Sequence, residues 1–266
     1  MLSNLHTHTV FCDGADTAEA MVLAAIDKGF SSIGFSGHGY TDFDLSYCIK
    51  DRSAYMSEIR RIAEKYGDKI KVYLGIEEDA RAPVERKGLD YVIGSSHYSL
   101  KDGVYYSVDS SPEHFAKCLD AWGGDIVAFA DEYYSTFCDY ILEKRPNIIG
   151  HFDLITKYDE LLGSRFLKSF EYQKLAEHYL RVALRANCIF EVNTGAIARG
   201  YRTSPYPYID LLRVIKEEGG MITLSSDSHS TQTVDFWFDQ AKALLRDVGF
   251  SKIMVLCDGI FTAIDT

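Results

Sequence analysis

Short apolar segments recur along the chain, each leading through a polar loop into a stretch with helical periodicity. The segments lie at 2–6, 31–36, 69–76, 89–95, 147–151, 188–193, 221–226 and 252–257. Strands that alternate with helices form a parallel sheet, and nearly all-apolar strands are covered on both faces. Seven or eight such units predict an α/β barrel rather than an open sheet. Helices are expected over 16–29, opened by an Asp16–Glu19 capping pattern and stopped at Gly29, and over 51–67, stopped at Gly67. Further helices are expected within 112–144, 169–187, 205–218 and 233–248. The rhythm breaks at 90–111, where Asp102–Gly103 reads as a hairpin turn. No linker, charge block or short repeat divides the 266 residues, so one barrel domain over 1–266 is expected.

In a parallel barrel the active site stands at the C-terminal ends of the strands. The residues found there are His6 and His8, His38, Glu77, His97, His151, Asn193, and Asp227 with His229. Six of the eight histidines fall at these positions, and the other two, His114 and His178, lie in helical patterns. Residues two apart on a strand point to one face, so His6 converges with His8 and Asp227 with His229. Imidazoles crowded on an inward face are costly to desolvate without partners. A metal ion relieves that cost, because neutral imidazole nitrogens and carboxylate oxygens are ligands of zinc, iron and manganese. No cysteine belongs to the set. Cys12, beside Asp13, comes nearest, and the six scattered cysteines without a CxxC pair read as reduced thiols in the cytosol.

HTH at 6–8, GH at 37–38, Glu77, SSH at 95–97, GH at 150–151 and DSH at 227–229 together resemble the polymerase and histidinol phosphatase (PHP) superfamily. Within it, the chain is most similar to the histidinol-phosphate phosphatases. The resemblance runs from HTH to DSH and implies a distorted (β/α)7 barrel with three divalent metal ions. It implies that His6, His8, Glu77 and Asp227 hold one ion, that Glu77, His97 and His151 hold a second, and that Asp13, His38 and His229 hold the third. Many relatives carry histidine where Asp13 stands, and this exchange favours a harder metal there, manganese or iron rather than zinc.

A cluster of ions at a barrel mouth lowers the pKa of water to give a hydroxide nucleophile and clamps a phosphoryl group, a pairing that suits phosphate-ester hydrolysis. The loop after the sixth strand adds Arg199 and Arg202, whose guanidinium forks match phosphate oxygens. Lys157 and Arg165 are further cations for this role, and Ser95 and Ser96 are hydroxyl donors. Asp227 is the first choice for general acid toward the leaving alcohol, with His229 its rival. For an amine-bearing substrate such as L-histidinol phosphate, Glu113 and Asp109 are the anions on offer, and Ser111–Pro112–Glu113 also reads as a helix start. The resemblance therefore implies a phosphomonoesterase of histidine biosynthesis. Alternatives are a phosphoesterase of nucleotides or oligonucleotides, a phosphotyrosine-protein phosphatase, and a non-catalytic metal-binding protein.

A formal charge of −11 argues against a nucleic-acid partner and suits a protein that holds cations. Residues 1–11 lack a basic segment followed by an apolar run, so no secretory leader is expected. No apolar stretch is long enough for a membrane span.

Overall fold

The computed structural model describes residues 1–266. Seven strands form one parallel sheet in the order β1 (Ser3–Asn4), β2 (Ser32–Phe35), β3 (Lys71–Asp79), β4 (Tyr91–Ser95), β7 (Ile148–Ile149), β8 (Ile189–Asn193) and β9 (Met221–Ser225). The two edges meet through a parallel bridge between Thr7 and Ser228. There the His8 N–H donates to Ser228 O at 2.8 Å and the Ser228 N–H to His6 O at 3.1 Å. The sheet is thus a closed, distorted seven-stranded barrel, as expected. β1 and β7 contribute only two residues each, which is the main distortion.

Between β4 and β7 the chain makes the expected hairpin, β5 (Tyr98–Lys101) with β6 (Val104–Ser107), turning at Asp102 and Gly103, both at positive φ. Helices α1 (Ala18–Asp27), α2 (Arg52–Tyr66), α3 (Pro112–Ala121), α4 (Ile126–Lys144), α5 (Phe170–Leu184), the single turn α6 (Gly195–Ala198), α7 (Ile209–Glu217) and α8 (Phe238–Val248) complete the chain up to its last hairpin. Their buried faces and the outer faces of the strands share a continuous apolar core of 57 residues.

Three expectations need correction. The segment 252–257 does not join the barrel. As β10 (Lys252–Cys257) it pairs antiparallel with β11 (Ile260–Asp265) through a turn at Asp258–Gly259, both at positive φ. An Asp–Gly pair between apolar runs is a hairpin signal in its own right. The helix α1 is capped by Thr17, whose hydroxyl accepts from the Ala20 N–H, and not by Asp16, whose carboxylate accepts from the Thr231 N–H. The helix expected over 205–218 starts only at Ile209, because Pro205 and Pro207 hold the residues before them extended.

The starts of the barrel strands enclose a second, smaller core of Leu5, Tyr73, Tyr91, Ile93, Ile148 and Ile189, closed from below by Leu256 of β10. The Tyr91 ring fills space that no side chain at Gly34 or Gly75 could share. A Cβ at Gly75 would lie 2.3 Å from the Tyr91 ring. The Tyr91 hydroxyl donates to Leu5 O. The N-terminal end of the barrel is therefore plugged, and only the C-terminal end is open to a ligand.

Candidate active site

Closure of the barrel builds the site. The Thr7–Ser228 bridge sets HTH beside DSH, although more than 200 residues separate them in the chain. His6 and His8 flank the bridge on one strand edge, Asp227 and His229 on the other. Glu77, near the end of β3, reaches into the middle, with His38 beside it after β2, His97 after β4 and His151 after β7.

Three groups of side chains converge there. Around Glu77 Oε2 and Asp227 Oδ1, His6 Nε2 lies at 3.2 and 3.6 Å and His8 Nε2 at 3.5 and 3.2 Å. Glu77 Oε1 lies 3.3 Å from His97 Nε2 and 3.0 Å from His151 Nε2. Asp13 Oδ2 lies 3.6 Å from His38 Nε2 and 3.2 Å from His229 Nε2, and His38 Nδ1 lies 3.0 Å from Glu77 Oε2. Subsets of these atoms are close enough together to share a metal ion.

The chemistry of the donor set fits cations. His6 Nε2, His8 Nε2 and Glu77 Oε2 are buried and make no hydrogen bond, although they face one another. His6 Nδ1 is committed to Glu191 Oε1 at 2.6 Å, which leaves Nε2 as the lone-pair nitrogen. Lone pairs then point at lone pairs, an arrangement that a cation between them stabilises. Two ligands of one tetrahedral ion, each about 2.0–2.2 Å from it, sit about 3.3–3.6 Å apart, and most of the spacings above fall close to that. Charge-assisted hydrogen bonds would be shorter, about 2.7–2.9 Å.

The electrostatics agree. Burial lowers the pKa of His6, but Glu191, Glu77 and Asp227 raise it well above the usual range. Burial likewise opposes and nearby carboxylates outweigh it at His38, which is raised, and at His97, which reaches about 10. His8 goes the other way, to about 3, because burial and the neighbouring His229 and His38 disfavour its charge. Burial raises Glu77 and Asp227, yet His6 and, for Asp227, Arg199 hold both well below the carboxylate range. A field that draws protons onto buried imidazoles also draws divalent cations.

A cavity of about 280 Å³ opens over this cluster. Arg199, Lys157, Tyr206, Leu154, Asp44, Ser46, Tyr47, Tyr98, Ser107 and Asp109 are among the residues that line it. Arg199 approaches Asp227 Oδ2 at 3.4 Å and donates to His229 Nδ1 at 2.7 Å. Lys157 Nζ donates to Asp109 O at 2.9 Å and lies 3.4 Å from Asp109 Oδ2. Burial raises the pKa of Asp109, but Lys157 and the site histidines bring it to about 2, so its carboxylate stays charged.

Four residues expected at the phosphate or the substrate lie elsewhere. Arg202 is 3% exposed and is committed to Thr156, Asp153 and Pro205 O behind the cavity wall. Arg165 is spent on Gly124 O at the surface. Ser96 is fully buried and outside the wall. Glu113 is an exposed first-turn residue of α3, below Ser111 as N-cap and Pro112, and its carboxyl is lowered by its own backbone N–H and by Ser111. Asp109 is the carboxylate of that pair that faces the cavity. Asn193 bonds Glu191 and the Gly195 N–H, and so braces the strand end. Cys12 Sγ lies 3.6 Å from His8 Nδ1, beside the cluster.

Two carboxylates behind the imidazoles escaped the sequence reading. Glu191 on β8 accepts from His6 Nδ1, from the His151 N–H at 2.8 Å and from Ser225. Asp79 Oδ2 accepts from the His97 N–H at 2.9 Å and lies 3.1 Å from His97 Nδ1. Carboxylates in this position fix ring orientation and tautomer. The signal was present: Glu191 is the one charge in the strand IFEVN, and Asp79 follows Glu77 by two residues on the same face of β3.

A family model described as "PHP domain" matches residues 4–195. A relative from Schizosaccharomyces pombe named "Probable histidinol-phosphatase" is 30% identical over 277 positions, spanning 96% of this chain and 89% of its own. The histidinol-phosphatase of Lactococcus lactis is 25% identical over 93% of this chain and 91% of its own. The crystal structure of histidinol phosphate phosphatase from Lactococcus lactis, complexed with zinc, L-histidinol and phosphate, superposes with a TM-score of 0.73 at 22% identity, over 98% of each chain. That likeness establishes the fold.

Proposed function

Because the chain belongs to the PHP domain family, we propose that it is a metal-dependent phosphomonoesterase that hydrolyses L-histidinol phosphate to L-histidinol and phosphate. The observation that carries this reading is the convergence of nine metal-type side chains, with orphaned buried nitrogens, under a cavity that also holds Arg199 and Lys157. The zinc, L-histidinol and phosphate bound in the Lactococcus lactis enzyme support it. The whole of 1–266 acts as one catalytic domain, since the barrel closes only when its first and last strands meet.

In this reading His6, His8, Glu77 and Asp227 hold one ion, Glu77, His97 and His151 a second, and Asp13, His38 and His229 a third. Asp13, standing where many relatives carry histidine, shifts the third site toward manganese or iron rather than zinc. Bound divalent ions supply a nucleophile at neutral pH and offset phosphoryl charge. The chain's own residues do the rest. Arg199 and Lys157 clamp the non-bridging oxygens. Asp227 starts ionised, so it can act as an acid only after it has been protonated. Its Oδ2 can take up the proton that the nucleophile still carries as the new P–O bond forms. It returns that proton to the departing alkoxide, whose P–O bond breaks. His229 holds Arg199 in place through Nδ1. Asp44 and Asp109 line the same cavity and are the carboxylates on offer to the ammonium of the alcohol portion. Six free cysteines suit the reducing cytosol, where we place the enzyme.

Phosphate release from a panel tests the reading. Metal-loaded protein should turn over L-histidinol phosphate well ahead of sugar phosphates, nucleotides and a phosphotyrosine peptide. A preference for any of the last three classes would replace the substrate.

A further inference from the structure

Glu191 stands in the middle of β8, is 1% exposed and does not line the cavity. Every group bonded to its carboxylate is a donor. Oε1 accepts from His6 Nδ1 at 2.6 Å and from the Ser225 hydroxyl. Oε2 accepts from the His151 N–H at 2.8 Å and from Asn193 Nδ2 at 3.0 Å. Buried carboxylates are normally paired with a cation, yet no lysine or arginine pairs with this one, and its ionic partner is His6.

His6 and His151 belong to different ions in the reading above. Glu77 joins them from the front, with Oε2 at 3.2 Å from His6 Nε2 and Oε1 at 3.0 Å from His151 Nε2. Glu191 joins the same two residues from behind, which closes a circuit through Glu77, His6, Glu191 and His151. The His151 end depends on it for a second reason. His151 Nδ1 is buried without a partner, so the ring is aimed by its backbone, and Glu191 holds the backbone N–H. Asp79, the other carboxylate of this layer, is different. Its Oδ2 meets the N–H and Nδ1 of His97, and its Oδ1 accepts from the Arg81 N–H at 2.8 Å. Asp79 therefore serves a ligand of one site.

We propose that Glu191 is a positioning residue shared by the first two metal sites, an outer bridge that sets His6 and His151 relative to each other so that the two ions bind as a pair. The proposal rests on the reading of the cluster as a metal centre. Hydrogen-bond partners behind metal ligands are worth about 10- to 100-fold in metal affinity. Glu191 holds a ligand of each of two ions, so its loss acts on both. The third ion, assigned to Asp13, His38 and His229, draws on other contacts. Glutamine cannot replace the carboxylate. Whichever way its amide is placed, the NH2 faces two donors, and the bridge breaks at nearly constant volume.

Metal-free wild type, Glu191→Gln and Asp79→Asn are titrated with zinc alone against a competing chromophoric chelator. Circular dichroism and Tm of each metal-free sample check the fold. In Glu191→Gln two of the three ions should weaken together, by about 10-fold or more, while the other keeps its affinity. In Asp79→Asn a single ion should weaken. Ser225→Ala decides the matter if the glutamine variant does not fold, because the lost hydroxyl braces Glu191 and no metal-type side chain. It should weaken the same two ions by about 2- to 10-fold, the worth of one hydrogen bond. Zinc affinities within twofold of wild type in the folded variant overturn the proposal, even where the metal-free Tm falls, since Glu191 then serves the fold alone. Weakening of a single ion in Glu191→Gln also overturns it, and leaves the metal-centre reading intact. Wild-type protein that takes up no zinc overturns that reading and this proposal with it.

Discussion

At the N-terminal end of the barrel Leu5, Tyr73, Tyr91, Ile93, Ile148, Ile189 and Leu256 close the interior with apolar side chains. At the C-terminal end, a few residues along the same strands, His6, His8, Glu77 and His151 are just as buried, but they are polar and incompletely hydrogen-bonded. The first arrangement is what hydrophobic burial produces unaided. The second raises the free energy of the fold unless a ligand completes it. One end therefore holds the barrel together and the other is built to take up charge. Substitutions at the two ends should separate stability from metal binding and catalysis.

The largest effect is expected at Glu77, whose two oxygens face different histidine sets. Glu77→Ala should lower metal content at two sites and reduce kcat/KM by about a thousandfold or more, since several kcal/mol of transition-state stabilisation depend on the ions. Asp13→Ala should empty only the third site. Equal metal losses in the two variants, by elemental analysis, would remove Glu77 from its bridging role.

Next comes Arg199, which reaches the cluster without being able to coordinate a cation. Arg199→Ala should cost about 10- to 200-fold in kcat/KM, the worth of a charge-assisted pair of hydrogen bonds. Lysine should restore part of this, keeping the charge but not the fork. Near-wild-type kinetics for the alanine variant would assign the phosphate to Lys157, the other cation of the cavity wall.

The opposite end supplies the smallest catalytic effect. Leu256 is 1% exposed, and Leu256→Ala should destabilise the fold by about 2–5 kcal/mol through lost burial and the cavity left behind. The metal content and kcat/KM of the folded fraction should stay within about twofold of wild type. Denaturant unfolding and metal analysis on one preparation read both. A loss of metal without a loss of stability would break the division between the two ends.

The legible parts of the molecule were those governed by period and position. Apolar strands alternating with helices marked the seven barrel strands, and the rule that barrel sites stand at strand C-termini picked out the converging histidines while setting aside His114 and His178. Neither of these two lies in the cluster. What stayed hidden depends on the third dimension. Arg199 and Arg202 are three residues apart in one loop, yet one faces the cavity and the other lies beneath Tyr206, a difference set by how Pro205 and Pro207 return the chain to Asn193. Glu191 and Asp79 act one layer behind the imidazoles, where only their hydrogen bonds reveal them. The β10–β11 hairpin was written in Asp258–Gly259, but the expectation of one more barrel strand competed with it.

The most direct measurement of the central claim is elemental analysis of protein purified without chelators, paired with L-histidinol phosphate hydrolysis before and after chelation. The account predicts about three divalent ions per chain, loss of phosphate release on chelation and its return when the ions are restored. A metal content near zero in protein that hydrolyses the ester undiminished after chelation would contradict it.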